Sequence, residues 1–331
     1  MTPSDLSYAH DIPPFDPSLF QAEVTPQVYL PLILRGAESG QVFSSRGLHL
    51  PLVIKGTVGL PDREYLVYLP LVRGNRGGWR PFSDDSPWNV PIGPDPAIDP
   101  NSDAMIASLE PSANEGGFWV NLEEWTIPVY YADDGTPVYD VPCDNDWEVC
   151  GSGFGSDVPI PYGAMPDSSS DAHMAVVDLS RDLSWDMFRA RPYDGGWVVE
   201  WGYLFDLTSD GVHPDGIGSA RAAGFPLLAG LIRMEEIQRG YIDHALVMAY
   251  ETPRSGVYVY PASTVYGASG DENTIPMGGR LQLDPTIDVE ALELSDAAKV
   301  VARALQEYGV YLVDYAGSLV LYGEVLYGKP E

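Results

Sequence analysis

The chain has 331 residues, enough for a sizeable hydrophobic core in one large domain or two small ones. It carries 48 acidic against 18 basic residues, a formal charge of −30. A field of that sign repels nucleic acid and anionic lipid, because binding either one needs cationic side chains that release counterions. With 34 Gly and 30 Pro, few stretches can be helical. The expected fold is mainly β, a β-barrel or β-sandwich core with a few short helices.

Met1-Thr2-Pro3-Ser4-Asp5-Leu6 has neither a basic region nor an apolar core. The expectation is therefore a mature or truncated form of an exported protein. A short repeat follows. Val28-Tyr29-Leu30-Pro31-Leu32-Ile33-Leu34-Arg35-Gly36 is echoed at Leu48-His49-Leu50-Pro51-Leu52-Val53-Ile54-Lys55-Gly56, and again, one residue shorter, at Val67-Tyr68-Leu69-Pro70-Leu71-Val72-Arg73-Gly74. Proline cannot donate to a ladder, so these segments read as edge strands. Either they pack on their own domain, or residues 28–74 dock on the cell surface or on another copy of the chain. Composition changes at Trp79. Residues 1–78 are expected to form a tether and residues 79–331 a mainly-β globular domain.

Within that domain, residues 101–110 suit a short helix. Residues 118–131 and 137–141 read as strands around an Asp133-Asp134-Gly135 turn. Strands are expected at 174–179, 197–207, 245–250, 257–260, 310–313 and 319–321. The small apolar segment 219–233 suits a buried helix with a Gly-Phe-Pro interruption. The clearest helix is 295–308, where Ala298, Val301, Ala302 and Leu305 share a face and Gly309 follows as a stop. No apolar stretch approaches a membrane-spanning length.

Cys143 and Cys150, with six residues between them, suit a disulfide-closed loop and an oxidising compartment. Between them Asp144 and Asp146, with Asn145 and Glu148, offer oxygen ligands for calcium, though without the EF-hand glycine. No other cofactor is expected.

His173 stands at the head of an apolar strand with Asp171 two residues before it and Asp178 at the strand's far end. An Asp beside a His can hold its tautomer and raise its pKa, which suits proton transfer. Asp206 lies six residues after Glu200, the spacing of one strand face, and paired carboxylates serve glycoside hydrolysis. His244 opens another apolar run and is a second rim histidine for the same cleft. Arg280 can hold a carboxylate-bearing sugar. Trp201 and Tyr203 offer rings on which a sugar stacks, although in β proteins such rings more often belong to the core. Each of these residues also has a plain structural reading, as a cap, an ion pair or a surface charge. Serine-hydrolase, phosphate-loop, zinc-protease and dinucleotide fingerprints do not occur in the sequence.

From Ser86 onward the chain resembles a widespread group of bacterial secreted proteins. The segments that carry the likeness are Ser86-Pro87-Trp88-Asn89-Val90-Pro91-Ile92, Asp171-Ala172-His173-Met174-Ala175-Val176-Val177-Asp178, Phe205-Asp206-Leu207, residues 222–233, Ile242-Asp243-His244-Ala245-Leu246, Pro276-Met277-Gly278-Gly279-Arg280-Leu281 and residues 308–314. The resemblance implies secretion and, because some members are joined to carbohydrate-binding modules, contact with glycans. It implies no reaction. The proline-bearing repeats resemble a motif of surface proteins from thermophilic bacteria.

These readings converge on an extracellular or cell-surface protein whose partner is a polysaccharide. The leading expectation is a hydrolase or lyase with a His/Asp acid–base site. The alternatives are a non-catalytic surface or filament protein docking through its N-terminal strands, and a carbohydrate-binding module.

Overall fold

The structure, a computed structural model, describes residues 79–325 except 117, 147, 148 and 215, together with the segments 29–32 and 52–53. Strands β1 (Tyr29–Leu32) and β2 (Leu52–Val53) come first. Helices α1 (Ser102–Ala107) and α2 (Glu110–Gly116) lead to β3 (Phe118–Asn121) and β4 (Val129–Tyr131). Next come β5 (Val138–Tyr139), β6 (Val158–Pro159), β7 (Met174–Asp178), β8 (Leu183–Phe188), β9 (Arg191–Tyr193), β10 (Gly196–Val198) and β11 (Trp201–Asp206). The remainder is α3 (Met234–Arg239), β12 (Leu246–Tyr250), β13 (Arg254–Tyr258), β14 (Pro276–Met277), β15 (Arg280–Leu283), α4 (Asp296–Glu307), β16 (Val310–Tyr315) and β17 (Leu319–Tyr322).

Two sheets dominate. A seven-stranded mixed sheet has the order β1-β15-β16-β12-β17-β3-β2, and a four-stranded sheet has the order β11-β8-β7-β4. The fold is thus mainly β with short helices, as the composition predicts, but neither sheet closes into a barrel. One core joins the two sheets: Ala175, Val177 and Phe205 of the smaller pack with Leu246, Val247, Met248 and Leu312 of the larger. The opposite face of the smaller sheet, carrying Met174, Val176, Trp185 and Met187, buries a second cluster with Val141 and Ile160. Because both faces of β7 are covered, its sequence is a continuous apolar run rather than an alternating one.

β1 pairs in parallel with β15, and β2 in parallel with β3, at the two outer edges of the large sheet. The first two repeat segments therefore dock on their own chain. The third repeat lies outside the described residues.

Two expectations change. Residues 219–233 are buried but form turns, not a helix. Gly224 and Gly230 sit at φ 81° and 69°, and a Cβ on Gly230 would come within 2.8 Å of the Val247 nitrogen. The close approach to β12 requires glycine there and breaks any helix. The Asp133-Asp134-Gly135 turn forms, but its flanking strands do not pair with each other. β4 joins β7 in parallel and β5 joins β6. The 295–308 helix is observed as α4, capped by Ser295 Oγ, which accepts from Ala298 N at 3.2 Å. Gly309, at φ 71°, ends it where a Cβ would meet the Leu281 carbonyl at 2.3 Å. Cys143 and Cys150 form a disulfide. Among the described residues no helix is long and apolar enough to cross a membrane.

Candidate functional site

The histidines, acids and arginine singled out in the sequence do not gather in one cleft. His173 is 4% exposed, packs on the Phe188 ring with centroids 5.5 Å apart, and places Nε2 2.9 Å from the Ala220 carbonyl. Burial pulls its pKa down to about 4, so the imidazole is neutral near pH 7. Asp171 makes no hydrogen bond to it that would orient the ring, and this histidine holds a loop.

Asp178 and Asp206 lie at the other end of the same sheet. Asp178 faces Leu183, which faces Asp206, whereas Met174 next to His173 faces Met187, which faces Gly202. Four residues of strand separate the two ends by about 13 Å. Asp178 accepts from Ser180 Oγ at 2.6 Å and from Arg181 Nε at 2.6 Å; although burial opposes it, those bonds hold its pKa low. Asp206 accepts from Thr208 N and Oγ1, which likewise lower its pKa. Both close turns. Glu200 and Asp206 are about 20 Å apart along the strand, roughly twice the widest carboxylate pair that hydrolyses a glycosidic bond. Glu200 instead meets Arg189 at 2.6 Å.

His244 precedes β12 in the large sheet. Its Nε2 lies 2.9 Å from Glu236 Oε1 and its Nδ1 2.9 Å from the Ala245 carbonyl. Glu236, fully buried, also receives Arg233 Nη2 at 2.6 Å. Although burial opposes it, these two partners hold the Glu236 pKa down at about 2. Arg233 in turn donates to the Trp79 carbonyl at 2.7 Å, so the network fixes the start of the domain. Arg280, 1% exposed, spends its Nε on the Tyr308 carbonyl and its Nη2 on the Val90 carbonyl, both at 2.8 Å, and stacks on Tyr311. It is a bracket for the 80–92 segment, not a surface anchor for a carboxylate. Asp144 is bound by Arg191, which neutralises the carboxylate a calcium ion would need, and Glu148 lies outside the described residues. Among the described residues, Asp146 joins no group of three or more potential metal ligands.

Composition and spacing did not single out the most perturbed cluster. It lies where the two sheets meet. Arg221, 2% exposed, places its guanidinium 4.6 Å over the Tyr322 ring of β17 and donates Nη2 to the Leu227 carbonyl at 3.1 Å. Its Nε and Nη1 have no hydrogen-bond partner among the described residues. Asp186 of β8, fully buried, accepts from Leu227 N through Oδ2 and leaves Oδ1 unpartnered. Burial pushes its pKa up to about 7. Asp314, at the end of β16, is half-buried, and desolvation of its carboxyl, aided by the nearby charge of Asp171, raises it to about 6. Burial also raises Asp171, but Arg189 opposes the rise. Both acids are raised, and a charge on Asp171 favours the protonated form of Asp314. Both act electrostatically on the Tyr322 hydroxyl, whose pKa burial raises further. The one sequence signal for Asp186 is an acid at an inward position of a strand. For Arg221 it is a lone cation heading an apolar segment.

Trp201 and Tyr203, expected to contact sugar, do line a half-open depression of about 380 Å³ with Gly151, Ser152, Pro214 and Ile217. The Tyr203 ring meets that of His213 edge-on, centroids 4.0 Å apart. One stretch of chain serves both places: Pro214 and Ile217 wall the depression, and Arg221 carries the buried guanidinium. No protein-family model, curated protein or solved structure matches this chain.

Proposed function

We propose that this is an extracellular protein that acts on glycans as a hydrolase. The proton-donating acid is Asp314 and the partner carboxylate Asp171. The observation that carries the reading is the coupling of these two acids: burial raises both, and the charge of Asp171 lifts Asp314 further, to about 6. Two electrostatically coupled carboxyl groups can share one proton, so that one serves as acid and the other as carboxylate. In glycoside hydrolysis the acid gives its proton to the leaving oxygen while the carboxylate assists attack at the anomeric carbon. The Cys143–Cys150 disulfide supports an oxidising compartment.

The test is a screen of the full chain on a polysaccharide panel, reading reducing ends. Asp314→Asn should cut turnover by roughly a hundredfold or more while leaving the melting temperature nearly unchanged. Unchanged turnover in that variant, or no release from any glycan, would overturn the reading. One specific observation favours glycan binding without chemistry, namely the aromatic depression at Trp201 and Tyr203. Saturable binding with no product would select that alternative.

A further inference from the structure

We infer that the glycan held at the Trp201–Tyr203 depression is neutral, a chain of uncharged sugar rings and not a uronate polymer. This inference rests on the glycan reading above and narrows its substrate class. Among the described residues that line the depression, none carries a charge. A uronate carboxylate entering it would find no guanidinium or ammonium group to replace its water, and burying an unpaired carboxylate is costly.

The surroundings are adverse as well. Glu200 immediately precedes Trp201 and is matched by Arg189, so no cation is left over there. Arg221, the buried cation on the same stretch of chain, does not line the depression and sits beside the Asp314 and Asp186 carboxyls. The chain as a whole carries −30, so a polyanion is repelled before it arrives.

What the depression does offer matches an uncharged ring. Trp201 and Tyr203 present aromatic surface for the apolar C–H face of a pyranose. Ser152 lines the same depression. A serine hydroxyl suits sugar hydroxyl groups, since both donate and accept. The volume, about 380 Å³, is that of a site for one or two rings.

The experiment is calorimetric titration of the full chain, still competent for chemistry, with neutral hexasaccharides (cello-, manno-, xylo- and malto-series) and with oligogalacturonate and oligomannuronate. At least one neutral series should bind roughly tenfold or more tighter than either uronate. Trp201→Ala should weaken that binding by about tenfold, the worth of one aromatic contact, and Trp201→Phe should keep most of it. Uronates binding as tightly as neutral chains would overturn the inference, as would neutral binding indifferent to Trp201→Ala or an absence of binding by any glycan. Asp314-dependent release of reducing ends is read separately. A uronate hydrolysed in that way would sink the neutral-substrate inference and leave the hydrolase reading standing.

Discussion

Arg221 and Asp186 are joined through a single residue: the Leu227 carbonyl accepts from Arg221 Nη2, and the Leu227 N–H donates to Asp186 Oδ2. No salt bridge links the two side chains directly. Each keeps buried polar atoms without a partner. Such a pair is held by backbone geometry more than by Coulomb attraction. The carboxyl pays for burial by keeping its proton.

That proton has a measurable consequence. The folded-state pKa of Asp186, about 7, stands above the value near 4 of an unfolded chain. Its stabilising contribution is complete below about pH 4 and is lost as pH rises through about 7. Asp186→Asn removes that titration. Chemical denaturation at pH 5 and pH 8 should show the variant gaining on the parent, at the higher pH, by on the order of a few kcal/mol. Parallel pH profiles for the two proteins would contradict the assignment.

His173 works in the opposite direction. Its folded-state pKa of about 4 lies below the value near 6.5 of an exposed histidine. The stability it contributes is present above about pH 6.5 and is lost as pH falls through about 4. Nuclear magnetic resonance titration of the ring should find a midpoint near 4. A midpoint near 6.5 would show an open, solvated ring and restore this histidine as a proton-transfer candidate.

The Glu236 carboxylate is the shared partner of Arg233 and His244. Removing it takes a hydrogen-bond partner from two groups that are 3% exposed, leaving Arg233 only Glu235 and the Trp79 carbonyl and His244 only the Ala245 carbonyl. Glu236→Ala should therefore cost about 3–5 kcal/mol in unfolding free energy, the usual penalty for breaking a buried charge network from one side. A loss below about 1 kcal/mol would mean that water reaches the network.

The sequence exposed the fold more readily than the site. β7, β11, β12, β16, β17 and α4 all announce themselves as apolar runs or as a capped 3.6-residue pattern, because their local periodicity agrees with what they bury. The segment 219–233 misleads for the opposite reason. Its small apolar residues have helical composition, yet two glycines take positive φ, and one of them, Gly230, serves a contact with β12 that only the assembled sheets create. The histidines misled in the same manner, since a rim position along a strand says nothing about what the other sheet lays over it. Arg221, Asp186 and Asp314 come from a turn and from two different sheets. Their mutual influence is a product of packing, and no spacing in the chain encodes it. Trp201 and Tyr203 were legible because they alternate on one strand, which already places both on one face.

The two outermost strands of the large sheet come from successive copies of one proline-bearing segment. An open sheet has two flanks, each a row of unsatisfied backbone groups on which further strands can grow. β1 carries Pro31 opposite Gln282, and β2 directly follows Pro51. A proline offers no amide proton, so a strand that contains one accepts a neighbour on one side and resists another on the next. At the β1 flank the proline of the repeat leaves one backbone position without a donor for a further strand.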